Sequence, residues 1–353
     1  VRVALIGGGT GGHLVPGIAL VGALGAETEA CFLVAGSAVE RKVLAGVPHA
    51  LEPLFDGGTG RPPPWRADAW WRAVRRFRAA RERFDPAVVV VLGGWVALPA
   101  VVAGFGGRPS VLVEQNARAG RVQRLLSGRV DHACVPVAGP GMPRGRRGTH
   151  VTGNPVPPLP LADRASARAR LGLDPGRRTV LLMGGSQGAR DLNRLLPELG
   201  AVLAAQPDPW QVLHLTGRRE RVPGPPEVPV VAHSFLSSMA DAYAAADLAV
   251  SRAGGCTVAE LANTGTPSVL VPYPHHADRH QHANARWLVE AGAALVVPDD
   301  DPTGRATLGG LVRSALARLP AMARAAAGAG RPDAAERVAA IVRGLAHGRE
   351  LAA

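Results

Sequence analysis

One construction occurs twice in this chain and limits its fold more than any other feature. Ala4-Leu-Ile-Gly-Gly-Gly-Thr-Gly-Gly12 stands near the start, and Leu181-Leu-Met-Gly-Gly-Ser-Gln-Gly188 stands in the second half. Each is a short apolar run that ends in glycines and hands over to a helix-like stretch. Further apolar runs read as strands at 1–6, 30–35, 88–92 and 110–113, then at 179–183, 211–215, 228–231, 248–251, 268–271 and 294–297. A helix is expected from about Pro16 to Leu24, with the proline in its first turn. Another is expected over 189–205, broken or kinked at Pro197. Strands rich in β-branched residues, alternating with helices, predict parallel sheets covered on both faces. In such sheets ligands bind beyond the carboxyl ends of the strands, where every glycine pair falls.

The chain of 353 residues allows about two domains. Asn154-Pro-Val-Pro-Pro-Leu-Pro-Leu161 is a stiff, extended connector and marks the boundary. The last stretch, 305–353, reads as alanine-rich helices. Hydrophobic residues at 47% and charged residues at 19% exclude wholesale disorder. The net charge is +12, and Lys42 is the only lysine. That excess reflects either a composition bias or an anionic partner. Cys31, Cys134 and Cys256 are too far apart for a metal spacing or a disulfide framework, which points to a reducing compartment. The chain begins directly with a strand and shows no signal segment or membrane span.

Several clusters carry chemistry. Ser251-Arg-Ala-Gly-Gly-Cys-Thr-Val-Ala-Glu-Leu261 joins a strand to a helix over 257–263. Its glycines bring unpaired N–H groups to a helix N-terminus, a ready site for an anion. Glu260, a turn further in, can accept hydrogen bonds from vicinal sugar hydroxyls. Phosphate plus ribose satisfies both halves, whereas a plain tight turn with a dipole-complementing carboxylate is the bland alternative. Gly7-Gly8-Gly9-Thr10-Gly11-Gly12 matches a dinucleotide loop. The tip of the next strand, Val34-Ala35-Gly36-Ser37, lacks the acid that a nicotinamide cofactor's ribose needs, and Glu40 comes later. His13 leaves this loop placed to act as a general base or merely to pack it. Glu114 and Asn116 end another strand of the same half.

The run His275 to His282 holds four histidines but lacks a metal spacing with a third ligand. Gln281 and Asn284 share a helix face suited to sugar hydroxyls. Asp299 and Asp300 read as a solvated acidic turn rather than a metal site. Between Trp65 and Arg78, Trp70, Val74 and Phe77 share one helical face among arginines. This face suits either a core or an anionic membrane surface. No nucleic-acid-binding motif accompanies the charge.

The set Gly8-Gly-Thr-Gly-Gly-His13, Glu114-Gln-Asn116, Gly153-Asn-Pro-Val156, Gly184-Gly-Ser-Gln-Gly-Ala-Arg190, Ser251-Arg-Ala-Gly254 with Thr257 and Glu260, and Gln281 with Asn284-Ala285 resembles the MurG family over essentially the whole chain. These are the peptidoglycan N-acetylglucosaminyltransferases of glycosyltransferase family 28. The resemblance implies an α/β GT-B fold, two Rossmann-like domains facing across a cleft. An acceptor and membrane domain over 1–155 is rejoined by a C-terminal helix at about 336–353, and a UDP-GlcNAc domain spans 156–335. It implies inverting transfer of GlcNAc from UDP-GlcNAc to the 4-hydroxyl of the MurNAc of lipid I. The product is lipid II, made at the cytoplasmic face of the membrane by a peripheral enzyme serving cell-wall synthesis, cell shape and division.

By the same resemblance, Leu236 meets uracil through its backbone and Glu260 the ribose. Ser186 and the turn Gly255-Cys256-Thr257, continuing into Val258 and Ala259, hold the diphosphate. Gln281 takes GlcNAc hydroxyls, and Thr10, Gly11, Gly12 and Asn116 close over the sugar. His13 is the candidate base, and neither metal nor cofactor is called for. The basic tryptophan stretch fits the patch that sits on anionic membranes. The chain departs from the family at Trp95, at Pro157 in place of an arginine, at Gly255-Cys256 and in the loop 56–61. A UDP-GlcNAc 2-epimerase of the same architecture is the alternative reading, and an NAD oxidoreductase is a more distant one.

Overall fold

The computed structural model describes every residue except 10, 48, 57–60, 64, 186–188, 218–223, 225, 237, 276–278, 302 and 349–353. The chain divides into two units, Val1–Pro158 with Arg331–Ala353, and Leu159–Gly330.

In the first unit the elements run β1 (Arg2–Gly7), α1 (Gly11–Leu24), β2 (Glu29–Val34), α2 (Ala38–Leu44), β3 (Ala50–Pro53), α3 (Ala67–Phe84), β4 (Val88–Gly93), α4 (Leu98–Ala103), β5 (Ser110–Val113), α5 (Arg121–Leu126), β6 (His132–Val135) and β7 (Gly148–Val151). The strands form one parallel sheet in the order β3-β2-β1-β4-β5-β6-β7. The apolar run of β4 has the physical cause expected of a central parallel strand. Val88, Val90 and Leu92 face one core with α1, while Val89 and Val91 face the other with α3 and α4.

The second unit holds α6 (Arg164–Arg170), β8 (Arg178–Met183), α7 (Arg190–Asn193), α8 (Leu196–Ala204), β9 (Trp210–Leu215), β10 (Val230–His233), α9 (Ala240–Ala245), β11 (Leu248–Ser251), α10 (Gly255–Asn263), β12 (Ser268–Leu270), α11 (His280–Glu290), β13 (Ala294–Val296), α12 (Leu308–Leu316) and α13 (Leu319–Ala329). Its sheet is parallel, in the order β10-β9-β8-β11-β12-β13. The strand order reverses direction between β1 and β4 in one sheet and between β8 and β11 in the other. Crevices at the carboxyl ends of those pairs are where doubly wound sheets take ligands. The last helix, α14 (Ala334–Ala346), belongs to the first unit. It buries Val338, Val342 and Leu345 with Leu14, Leu20 and Val21, and Arg343 Nη1 donates to the Ala23 carbonyl at 3.0 Å.

Two helices differ from the sequence expectation. Helix α1 starts at Gly11, so Pro16 lies inside it rather than in its first turn. The helix lies directly on the sheet at Gly17, where a Cβ would come within 2.6 Å of Leu92 Cδ1. On α3 the face of Val74 and Phe77, with half-buried Trp70, turns into the core and is not free for a membrane. In this stretch the exposed aromatics are Trp65 and Trp71, at 81% and 57%. The break expected near Pro197 is present, with the proline opening α8.

Candidate active site

In the first unit the glycine loop after β1 is organised by a buried carboxylate. Glu40 of α2 is fully buried, and its two oxygens accept backbone N–H groups from Gly9 (2.8 Å), Ala35 (3.2 Å), Gly36 (2.8 Å) and Ser37 (2.8 Å). Ser37 Oγ in turn accepts from Glu40 N, completing a capping box. Glu40 therefore ties the glycine loop, through Gly9, to the turn after β2 and takes one of the N–H groups that a dinucleotide loop would present to a pyrophosphate. A Cβ on Gly8 would stand 2.2 Å from Glu40 Oε1, which shows how closely the two meet. The loop still offers its outer rim.

The β4 loop packs against the same rim. Gly94 adopts φ +76, and a Cβ there would strike the Gly8 carbonyl oxygen at 2.3 Å and lie 3.5 Å from His13 Cε1. His13, in the first turn of α1, is half-buried with its imidazole beside Gly94. Trp95 covers Gly9 and makes edge contacts with Phe55 and Trp70 at centroid distances of 4.9 and 6.2 Å. Of the expected loop residues, Thr10 lies outside the described residues. Gly11 and Gly12 open α1.

After β5, Glu114 is fully buried and accepts N–H from Gln115 and Asn116, both at 2.9 Å, from Gly120 at 3.4 Å, and from Asn116 Nδ2 at 3.3 Å. Asn116 itself is half-buried, so Glu114 is the brace and Asn116 the group near the surface. Burial outweighs these donors and pushes the Glu114 carboxyl up to about 7. The folded protein then keeps a proton that the unfolded chain releases nearer pH 4.5, so stability falls as pH rises from about 4.5 to about 7. Glu114→Gln removes this titration. Relative to the variant, the wild type should lose on the order of 3 kcal/mol between pH 5 and pH 8. Urea unfolding at the two pH values measures it. Any penalty from an amide facing Gly120 N is a constant offset.

In the second unit, α10 starts directly after β11 with Gly254 as its N-cap and no side-chain cap hydrogen bond. Gly255, Cys256 and Thr257 of the first turn are half-buried. Among the described residues no side chain caps this end, the condition in which a helix N-terminus takes an anion. Val258 and Ala259 are buried, at 2% and 5% exposure, so any part they play runs through the backbone. Glu260 is half-buried, and its Oε2 accepts the Tyr243 hydroxyl of α9 at 2.7 Å. Burial raises the Glu260 carboxyl to about 7. Ser186 lies outside the described residues. Leu236, after β10, is half-buried against the core.

On α11, Gln281 Oε1 accepts from Tyr273 N at 2.9 Å, which fixes its side chain at the β12 end of the sheet. Asn284 differs from the expectation of a sugar contact: it is buried and donates from Nδ2 to the Ala253 carbonyl at 3.0 Å. It braces the loop before α10 instead. The acidic run after β13 is engaged in the fold. Asp299 pairs with Arg279 and with His282 Nε2, the latter at 2.9 Å, and Asp301 accepts from Ala306 and Thr307 N.

Two organising residues were missed as site groups by sequence reasoning. Glu40 carried a legible signal, the Ser-x-x-Glu capping pattern at 37–40. Tyr243 is one of two tyrosines in the chain, and a tyrosine in an alanine-rich run must bury its ring and find a hydroxyl partner.

Two doubly wound units, one with an open helix end beside a carboxylate and one with a braced glycine rim and histidine, define a GT-B type glycosyltransferase. The model of the glycosyltransferase family 28 N-terminal domain matches residues 3–135, and that of the C-terminal domain matches 179–338. The chain belongs to the MurG family of glycosyltransferase family 28. It is 40% identical to the UDP-N-acetylglucosamine–N-acetylmuramyl-(pentapeptide) pyrophosphoryl-undecaprenol N-acetylglucosamine transferase of Halorhodospira halophila, covering 98% of this chain and 99% of that protein. The transferase of the same name from Mycobacterium avium is 38% identical, covering 96% of this chain and 87% of that protein. The crystal structure of Acinetobacter baumannii MurG superimposes with TM-score 0.75 at 26% identity, covering 97% and 99% of the two chains. These relatives carry the transferase name, which favours that reading over the epimerase.

Proposed function

We propose that this protein transfers GlcNAc from UDP-GlcNAc to the 4-hydroxyl of the MurNAc unit of lipid I, forming lipid II for peptidoglycan synthesis and thereby serving cell shape and division. The observation that carries the reading is the pairing of an uncapped α10 N-terminus with Glu260, within a chain 40% identical to a named transferase.

The second unit is the donor unit. The N–H groups of Gly255, Cys256 and Thr257, with Ser186, take the diphosphate. Glu260 takes the ribose hydroxyls, the Leu236 backbone the uracil, and Gln281 the GlcNAc hydroxyls. Val258 and Ala259 contribute backbone to the same turn. The first unit is the acceptor unit, with Thr10, Gly11, Gly12 and Asn116 as its polar rim. The acceptor hydroxyl oxygen attacks the anomeric carbon as the bond to the UDP oxygen breaks, so configuration inverts. His13 takes the hydroxyl proton, and the departing UDP keeps the electron pair. The helix end stabilises that charge without reorganising, the electrostatic contribution that usually dominates.

We also propose that the first unit rests on the cytoplasmic face of the membrane. Exposed Trp65 precedes α3, and exposed Trp71 lies in its first turns. Exposed Val102 and Leu125 lie on α4 and α5, beside a cavity of about 480 Å³ lined by Arg108, Arg129, Arg146 and Arg147 and by Asp131, which pairs with the last two. Among the described residues no helix is long and apolar enough to cross a membrane, so this is a surface association.

The test incubates the protein with radiolabelled UDP-GlcNAc and a short-chain lipid I analogue and counts label in the lipid fraction. Label there, lost in Glu260→Ala, supports the reading. UDP release without lipid labelling points to epimerase or hydrolase chemistry and overturns it.

A further inference from the structure

Tyr243 is buried at 3% exposure, its ring among the core residues beneath α9 and α10. Its hydroxyl leaves that core at one point, to Glu260 Oε2 at 2.7 Å. Burial and the neighbouring carboxylate hold the phenol well above its ordinary value, so at working pH it remains a donor. The other titratable group acting on the pair is Cys256, in the first turn of α10. On the far helix, Arg170 of α6 is paired with Asp241 of α9. A hydrogen bond to Oε2 fixes the rotation of the carboxyl and favours its ionised form, with Oε1 as the second acceptor.

We propose that Tyr243 is a positioning residue for nucleotide binding: its hydroxyl holds the Glu260 carboxylate ionised and oriented to receive the ribose hydroxyls, so that binding is coupled to the loss of a proton from this pair. The inference rests on the reading that Glu260 takes the ribose. An ionised carboxylate accepts two vicinal hydroxyls, whereas the protonated acid spends one oxygen as a donor. With Glu260 titrating at about 7, the wild-type affinity for UDP should fall as pH drops through that value. The loss from this group should be roughly tenfold between pH 9 and pH 6. Removing one hydrogen bond to the carboxylate raises its pKa by about one unit. Tyr243→Phe should therefore bind UDP roughly fivefold more weakly at pH 7 yet within about twofold of wild type at pH 9.

The experiment is calorimetric titration of UDP into the full-length wild type, Tyr243→Phe, Glu260→Gln and Glu260→Ala between pH 6 and pH 9. Restoration of Tyr243→Phe at high pH, with Glu260→Gln keeping only the slope set by the terminal phosphate of UDP, whose pKa is about 6, supports the proposal, because a purely structural defect would not recover with pH. A uniform loss in Tyr243→Phe at every pH overturns it while leaving the ribose assignment intact. No loss in Glu260→Ala overturns the assignment itself, and the proposal with it. Should Tyr243→Phe fail to fold, a wild-type profile no steeper than that of Glu260→Gln is sufficient to reject the coupling.

Discussion

His13→Ala should lower kcat for GlcNAc transfer by roughly 10²–10⁴-fold, the range for removal of a general base. The affinity for UDP should change by less than about twofold, because the nucleotide contacts assigned here all lie on the second unit. The geometry behind this is local. The glycine rim places the His13 imidazole beside Gly94, where no Cβ intrudes. A side chain at Gly94 would strike the Gly8 carbonyl at 2.3 Å, so the loop after β4 stays bare where it packs on the glycine rim, with the imidazole in ordinary contact beside it. Single-turnover transfer under saturating donor, compared with equilibrium UDP binding, separates the two quantities. If kcat falls by less than about tenfold, the base lies elsewhere and His13 packs the loop.

What the sequence made legible follows from how each element is stabilised. Central strands such as β4 and β8 are buried on both faces, and this demands unbroken apolar runs that can be read directly. The edge strands β3 and β7 escape such a reading, since each is short and exposed on alternate or outer positions, with proline or glycine in four residues, and buried β6 escapes it because His-Ala-Cys-Val is no apolar β-branched run. The start of α1 was misplaced because glycine has poor helix propensity, yet Gly11 and Gly12 open the helix. The site divides in the same way. Glycine turns and Glu260 stand in one continuous stretch and are readable together. The hydroxyl that orients Glu260 comes from 17 residues away on another helix, and no local pattern announces it. Asn284 shows the converse case. Helical spacing put it on the Gln281 face, but its depth turned a sugar contact into a brace for Ala253.

Glu40→Ala should be the most damaging single change in the first unit. Glu40 receives N–H groups from Gly9, Ala35, Gly36 and Ser37 in a site with no exposure. Truncation leaves the buried donors of Ala35 and Gly36 unpaired, while Gly9 and Ser37 stand nearer to water. At about 1–3 kcal/mol for each unsatisfied group, with water recovering part of the loss, destabilisation of about 3–5 kcal/mol is expected. Transfer should fall with it even under conditions where the unit remains folded, since Gly9 leads directly into the rim and His13. UDP binding by the second unit should persist, which distinguishes this outcome from general collapse. Glu40→Gln keeps one acceptor oxygen but turns an amide toward the remaining N–H groups, so it should recover only a minor part. Formate is the sharper probe, because it returns a carboxylate to the vacated site. Added formate should raise the unfolding midpoint of Glu40→Ala and leave the wild type unchanged. A Glu40→Ala protein with wild-type stability and transfer would mean that the loop is held by its backbone alone, and the carboxylate would then be a bystander in the fold.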